Sequence, residues 1–183
     1  MKRIEAVNDF VVKFANVNGS GSASANELFA KSFLRMGIPV SPRNIFPSNI
    51  QGLPTWYEVR VTEKGWLGRR GGVDLMVAMN PQTWAQDLKE IEPGGYLFYD
   101  NTKPLPASKF RDDVNAIGIP LTEICNQNYT DSRERQLFKN IVYVGALASL
   151  MDIDPGVIAE LIGEQYKGKE KLLKPNLNAL QLG

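Results

Sequence analysis

The chain has 183 residues, with 21 Lys and Arg against 20 Asp and Glu and 43% hydrophobic residues. A single domain of that length buries about 70% of its unfolded surface without staples, and the near-zero net charge argues against a dedicated nucleic-acid surface, which carries a basic excess. No histidine and one cysteine, Cys125, exclude a Ser-His-Asp or Cys-His site, an internal disulfide and a four-cysteine zinc or iron–sulfur centre within the chain, and they suit a reducing cytoplasm.

Behind Met1–Glu5 there is no signal-peptide core. No apolar run reaches the ~20 residues of a membrane span. The first informative stretch is Val11–Gly37. A short apolar run ends in Asn18-Gly19-Ser20-Gly21-Ser22-Ala23, and a helical pattern follows with Ala25, Leu28, Phe29, Ser32, Phe33 and Met36 on one face. This is strand, glycine turn, helix. The glycines let the backbone turn tightly and leave its N–H groups uncovered. The helix N-terminus adds orphan donors and partial positive charge, a combination suited to an anion. Position 24, where a dinucleotide fingerprint has its third glycine, is Ser24, and no Lys-Ser or Lys-Thr pair makes an NTPase phosphate loop.

Pro39–Phe46 reads as an edge strand because of its prolines. The polar loop Pro47–Pro54 follows, and then Thr55–Thr62, whose alternation predicts a half-buried strand. Val73–Asn80 suits a central parallel strand. A helix starting at Pro81–Trp84 runs to about Ile91, Pro93-Gly94-Gly95 ends it, and Tyr96–Tyr99 is the next strand, closing at Asp100-Asn101-Thr102. Ile119–Ile124 reads as a further strand, which would put Cys125–Asn128 at its carboxyl end. The last third is helical. Arg133–Met151 carries a stripe of Leu137, Ile141, Val144, Leu147 or Ala148, and Met151. Asp154 caps the next helix, with Pro155 at its first position and Val157, Ile158, Leu161 and Ile162 on its buried face. After Gly168 the periodicity fades, so residues 168–183 are expected to be a linker or docking arm towards a following domain, and 1–167 the folded domain.

Strands interleaved with helices imply an α/β fold with an open, mostly parallel central sheet covered on both faces. Ligands in such folds sit beyond the carboxyl ends of the strands, where Asn18–Ala23, Asn80 and Asp100–Thr102 are expected. Arg69 and Arg70 are candidates for a phosphate, or a solvated basic turn. Asp74 and Asp100 are a conceivable acid/base pair, with Asp100 more simply a turn former. Cys125 reads as a small buried apolar residue, since no histidine activates it. Trp56, Trp66 and Trp84 read as packing or interface aromatics.

Four blocks in order, Phe14–Asn26, Phe46–Glu58, Val73–Asn80 and Gly94–Asp100, joined by Lys139-Asn140 and Gly145-Ala146, resemble the γ domain of the 2-oxoacid:acceptor (ferredoxin) oxidoreductases. Within that family the chain is similar to the amino-terminal part of the 2-oxoglutarate:ferredoxin oxidoreductase α subunit. There the γ domain is fused ahead of a pyrimidine-binding domain. The resemblance covers roughly residues 8–165. It implies a Rossmann-like three-layer sandwich that takes part in CoA-dependent oxidative decarboxylation of a 2-oxoacid and contributes to CoA binding and subunit assembly. The implied cofactor contacts in this chain are Asn18, Gly19, Ser20, Gly21, Ser22, Ala23, Ser48, Asn49, Gln51 and Gly52, facing CoA. No catalytic residue or metal ligand is implied here. Thiamine diphosphate, magnesium and the iron–sulfur cluster are expected only in other domains or subunits, so the isolated chain is expected to be inactive. Implied partners are the catalytic α and β domains or subunits, with ferredoxin as electron acceptor of the complex, and neither nucleic acid nor membrane. The sequence departs from the family in having Ser20, Ser22 and Ser24 where the first turn is often richer in glycine. It also has Gln51-Gly52-Leu53 where Arg-Gly-Gly is frequent. The alternative reading is a non-catalytic assembly module with a vestigial pocket.

Overall fold

The computed structural model describes residues 8–47 and 50–183. They fall into two compact units. The first holds the described residues through Gly19 together with Ile38–Pro120, and the second holds Ser20–Gly37 and Leu121–Gly183.

All six strands of the first unit belong to one sheet: β1 (Asp9–Val17), β2 (Val40–Ile45), β3 (Pro54–Thr62), β4 (Val73–Ala78), β5 (Ile91–Asp100) and β6 (Asn115–Ile119), in spatial order β2-β3-β1-β4-β5-β6. β2–β3 and β3–β1 pair antiparallel, while β1–β4, β4–β5 and β5–β6 pair parallel. The α/β class and the mostly parallel sheet expected from sequence are both present. β4 lies inside the parallel run and β2 at an edge, as Val73–Ala78 and the prolines Pro39 and Pro42 foretold. Helix α2 (Trp84–Glu90) packs on β4 and β5 over a cluster of Ala15, Trp56, Met76, Ala78 and Leu97. Trp84 meets Tyr99 and Phe110 edge-on with centroids 5.6 and 5.8 Å apart.

Three differences from the sequence reading lie in this unit. β3 is buried at every position from Thr55 to Thr62, not half-buried. Its polar members are covered because Arg69 donates to both Glu58 carboxylate oxygens at 3.0 Å and Arg60 donates to the Gly68 carbonyl. β5 begins at Ile91, not at Tyr96. Pro93-Gly94-Gly95 is a bulge where the register with β4 shifts, Gly94 has φ +83°, and a Cβ at Gly95 would sit 2.8 Å from the Glu92 carbonyl. The strand read over Ile119–Ile124 ends at Ile119, because Pro120 stops it and Leu121 and Cys125 lie one helical turn apart.

The second unit is helical: α1 (Ser22–Arg35), α3 (Leu121–Asn128), α4 (Ser132–Leu150), α5 (Pro155–Gln165) and α6 (Glu170–Leu182). Asp131 caps α4 by accepting from the Arg133 and Glu134 N–H groups, both at 2.9 Å. Asp154 caps α5 ahead of Pro155, as read from sequence, and Ile158, Leu161 and Ile162 form its buried face. On α4 the stripe is buried at Ile141, Val144 and Leu147, but Leu137 is 45% exposed. Residues 170–182, expected to be aperiodic, form α6 instead. Asn176, Ala179 and Leu180 are buried, and the helix packs on α4 so closely that a Cβ at Gly145 would lie 2.2 Å from the Leu180 carbonyl. Cys125 lies in α3, only 1% exposed, so Cys125–Asn128 do not follow a strand end.

Candidate functional site

The glycine turn leaves β1 and enters α1. On the first unit Asn18 is tied to the loop Ile50–Leu53. Its N–H donates to the Leu53 carbonyl at 2.8 Å, its carbonyl accepts from the Gly52 N–H at 2.9 Å, and its side chain donates to the Ile50 carbonyl at 3.1 Å. Gly19 has φ +83°, and a Cβ there would lie 2.7 Å from Gln51 Cγ. Gly52 is also left-handed, at φ +90°. The structure therefore brings Asn18, Gly19, Gln51 and Gly52 together. Ser48 and Asn49 lie outside the described residues.

On the second unit Gly21 is the N-cap of α1, left-handed at φ 81° and ψ 4°. Only glycine takes this conformation without strain. A capping side chain is absent by necessity, and the first-turn N–H groups of Ser22, Ala23 and Ser24 have no partner within the helix. Ala23 and Ser24 are exposed, and no acidic side chain occupies the first turn. Ser20 Oγ donates to Ser22 Oγ at 3.1 Å, and Ser22 is only 5% exposed. Two residues of α4 back the turn. Asn140 Nδ2 donates to the Ser20 carbonyl at 2.9 Å, and Leu137 Cδ2 lies 2.6 Å from where a Gly21 Cβ would be. Sequence reading placed Leu137 in the core and did not place Asn140 at the turn. The available signal was a polar residue inside a buried helical stripe. A groove of about 660 Å³ begins at Ser24 and runs between α1 and α5, with Leu28 and Leu161 along it and Arg35 donating to both Glu164 carboxylate oxygens at 3.0 and 2.7 Å. That pair holds Glu164 below the usual carboxylate range and Arg35 above its ordinary value.

The other candidates have other commitments. Arg69 is engaged by Glu58, and Arg70 by Asp74 and, at 3.9 Å, by Asp9. Asp74 also accepts from the Val11 N–H at 2.7 Å. Asp100 accepts from the Thr102 N–H at 3.1 Å and hydroxyl at 2.6 Å, which makes it a turn former. Asn80 accepts from the Gln82 N–H at 3.0 Å and donates to the Asn16 carbonyl at 3.3 Å, fastening β4 to β1. A second groove, about 570 Å³, lies on the first unit over Lys13 and Trp56, between Arg69 and Glu90. Behind it Asp87 is fully buried, accepting from Trp56 Nε1 at 2.8 Å and Thr83 Oγ1 at 2.6 Å. Burial raises its pKa against the effect of those two hydrogen bonds. Among the described residues there is no group of three or more His, Cys, Asp or Glu arranged for a metal ion, and no helix is long and apolar enough to cross a membrane.

Comparison with known proteins gives a consistent picture. A curated relative, subunit alpha of 2-oxoacid:ferredoxin oxidoreductase 2 from Aeropyrum pernix, is 23% identical over 90% of this chain, which spans only 31% of that protein. Among solved structures, the 2-oxoglutarate:ferredoxin oxidoreductase of Magnetococcus marinus, with 2-oxoglutarate, coenzyme A and succinyl-CoA bound, superposes with a TM-score of 0.83 at 25% identity, covering 96% of this chain and 30% of that one. The γ subunit of a keto/oxoacid ferredoxin oxidoreductase from Geobacter sulfurreducens shares the fold, with a TM-score of 0.71 at 16% identity over 94% of this chain and 95% of its own. The sequence profile of the pyruvate ferredoxin/flavodoxin oxidoreductase family matches residues 11–183, and the chain belongs to that family.

Proposed function

We propose that this chain is the γ domain of a cytoplasmic 2-oxoacid:ferredoxin oxidoreductase acting on 2-oxoglutarate, where it contributes to CoA binding and to assembly with the catalytic domains. In this reading thiamine diphosphate, magnesium and iron–sulfur chemistry belong to the partner domains or subunits, ferredoxin accepts the electrons, and α6 leads towards a following domain. The observation that carries the CoA assignment is the open N-terminal end of α1, where a side-chain-free cap is followed by exposed Ala23 and Ser24. Ser20, Gly21, Ser22 and Ala23 are assigned to the pyrophosphate through backbone N–H groups and serine hydroxyls. Asn18, Gly19, Gln51 and Gly52 of the first unit, and Ser48 and Asn49, are proposed as CoA contacts in their own right. The Magnetococcus relative, whose structure holds CoA, supports the assignment.

The test is Ser24→Glu in the assembled enzyme. A glutamate at the third helical position suits the helix dipole and reaches back to the cap N–H, so stability is expected to hold or rise slightly. It also places a negative charge where the pyrophosphate sits, so CoA affinity is expected to fall about tenfold, or ~1.4 kcal/mol. A stable variant with unchanged CoA affinity removes this end of α1 from the CoA site. The second reading, an assembly module with a vestigial pocket, is favoured by one observation: Arg69 and Arg70, the arginines read from sequence as phosphate candidates, are both held by carboxylates.

A further inference from the structure

The Lys139-Asn140 pair is a sequence motif that the proposed chemistry leaves without a task. Asn140 sits in the middle of α4, only 5% exposed, in a stretch that is otherwise apolar from Ile141 to Ala148. An amide at such a place needs partners, because an unpaired buried polar group is destabilising. Its Nδ2 has two hydrogens. One goes to the carbonyl of Gln136, one turn back on its own helix, at 3.3 Å, and the other to the Ser20 carbonyl at 2.9 Å. The Ser20–Gly21 peptide thus has its carbonyl oxygen turned to α4, and a planar peptide that points its carbonyl one way directs its N–H the other. Leu137, one turn earlier on the same face of α4, fills the space beside Gly21.

We propose that Asn140 is a positioning residue that fixes the orientation of the Ser20–Gly21 peptide, and so of the α1 amides, for the pyrophosphate of CoA. This rests on the CoA reading above. Tyr143, three residues further on, donates to Asn26 Oδ1 at 2.6 Å and joins the same two helices through a different residue of α1. It is therefore a control for general loss of α1–α4 packing.

The test uses the assembled enzyme and two probes, CoA and pantetheine, which lacks the pyrophosphate, both followed by calorimetric titration. For Asn140→Leu, near-isosteric and without a donor, CoA affinity is expected to fall about tenfold while pantetheine affinity stays within about twofold. Asn140→Asp keeps the side-chain shape if the leucine variant does not fold. It puts a carboxylate against the Ser20 carbonyl and is expected to lose CoA affinity at least as strongly. Tyr143→Phe is expected to lower the melting temperature and leave the CoA-to-pantetheine ratio unchanged. If both Asn140 variants keep the wild-type ratio, or if Tyr143→Phe changes it as much as they do, the positioning role is overturned. If the unmodified enzyme binds CoA no better than pantetheine, the pyrophosphate reading falls first and the inference with it.

Discussion

Gly21 and Gly37 stand just outside the two ends of α1 with the same left-handed backbone, φ +81° each, and with different surroundings. A Cβ on Gly37 meets nothing within 4 Å, whereas one on Gly21 would lie 2.6 Å from Leu137 Cδ2. Gly37→Ala therefore isolates the backbone effect. A non-glycine residue in that conformation costs ~1–2 kcal/mol, and the stiffer unfolded chain returns ~0.4–1 kcal/mol, so a net loss of about 1 kcal/mol is expected. Gly21→Ala carries the same loss and must also push Leu137 aside. Overpacking costs ~1–3 kcal/mol in a closed core, and Leu137, 45% exposed, can swing away, so the low end applies. The expected total is about 2–3 kcal/mol, a fall of roughly 5–10 °C in Tm for a protein of this size. Denaturant melts of both variants, and of Gly21→Ala combined with Leu137→Ala, separate the parts. Truncating Leu137 should return about 1 kcal/mol to Gly21→Ala and nothing to Gly37→Ala. Equal losses at the two glycines, or no recovery in the double variant, would refute the packing of the turn against α4. The same arithmetic explains why a bulky residue at Gly21 is a poor probe of CoA binding: it perturbs the fold and the ligand site together.

Two other outcomes are expected. Because burial raises the Asp87 pKa, the folded protein binds that proton more tightly than the unfolded chain. This contribution to stability is greatest at low pH and declines as pH rises from the unfolded value, about 3.9, to the raised native one. Subtracting the melting curves of Asp87→Asn from those of the parent should show that slope, and a flat difference counts against it. In the assembled enzyme, amides of the segment 50–57 should exchange more slowly than in the isolated chain, because Ile50 and Leu53 in it are exposed large hydrophobic residues and exposed apolar surface marks interfaces. Equal protection in both forms argues for a different docking face.

Much of the architecture was legible because residue types change period at identifiable points. The continuous apolar run of β1 gives way to helical spacing at Gly19–Gly21, and Asp154-Pro155 announces α5 by cap chemistry alone. Other signals pointed two ways. Pro93-Gly94-Gly95 has the composition of a stop, and here it is a bulge inside β5 that the Asn115 side chain secures by donating to the Gly94 and Gly95 carbonyls at 2.9 and 3.2 Å. The short apolar run after Ile119 suits strand or helix equally, and Pro120 decides it. α6 was hidden because Pro175 lies inside it and its buried face is largely Asn176, Ala179 and Leu180, a pattern recognisable only once Gly145 is known to leave room for it. At the candidate site the glycine turn was legible and its backing was not. Asn140 and Leu137 lie more than a hundred residues away in sequence, and only the folded register of α4 shows that they reach Ser20 and Gly21.

The division of the chain between the units has a consequence for biogenesis. α1 leaves the ribosome before its helical neighbours α4 and α5, which begin about a hundred residues later. At ~5–20 residues per second of synthesis, that is a delay of ~5–20 s. Throughout it Leu28, Phe29 and Phe33, all buried in the finished protein, have no apolar partner from α4 or α5. An isolated helix of fourteen residues is marginal in water, so α1 stays an unformed segment until α4 and α5 have been made.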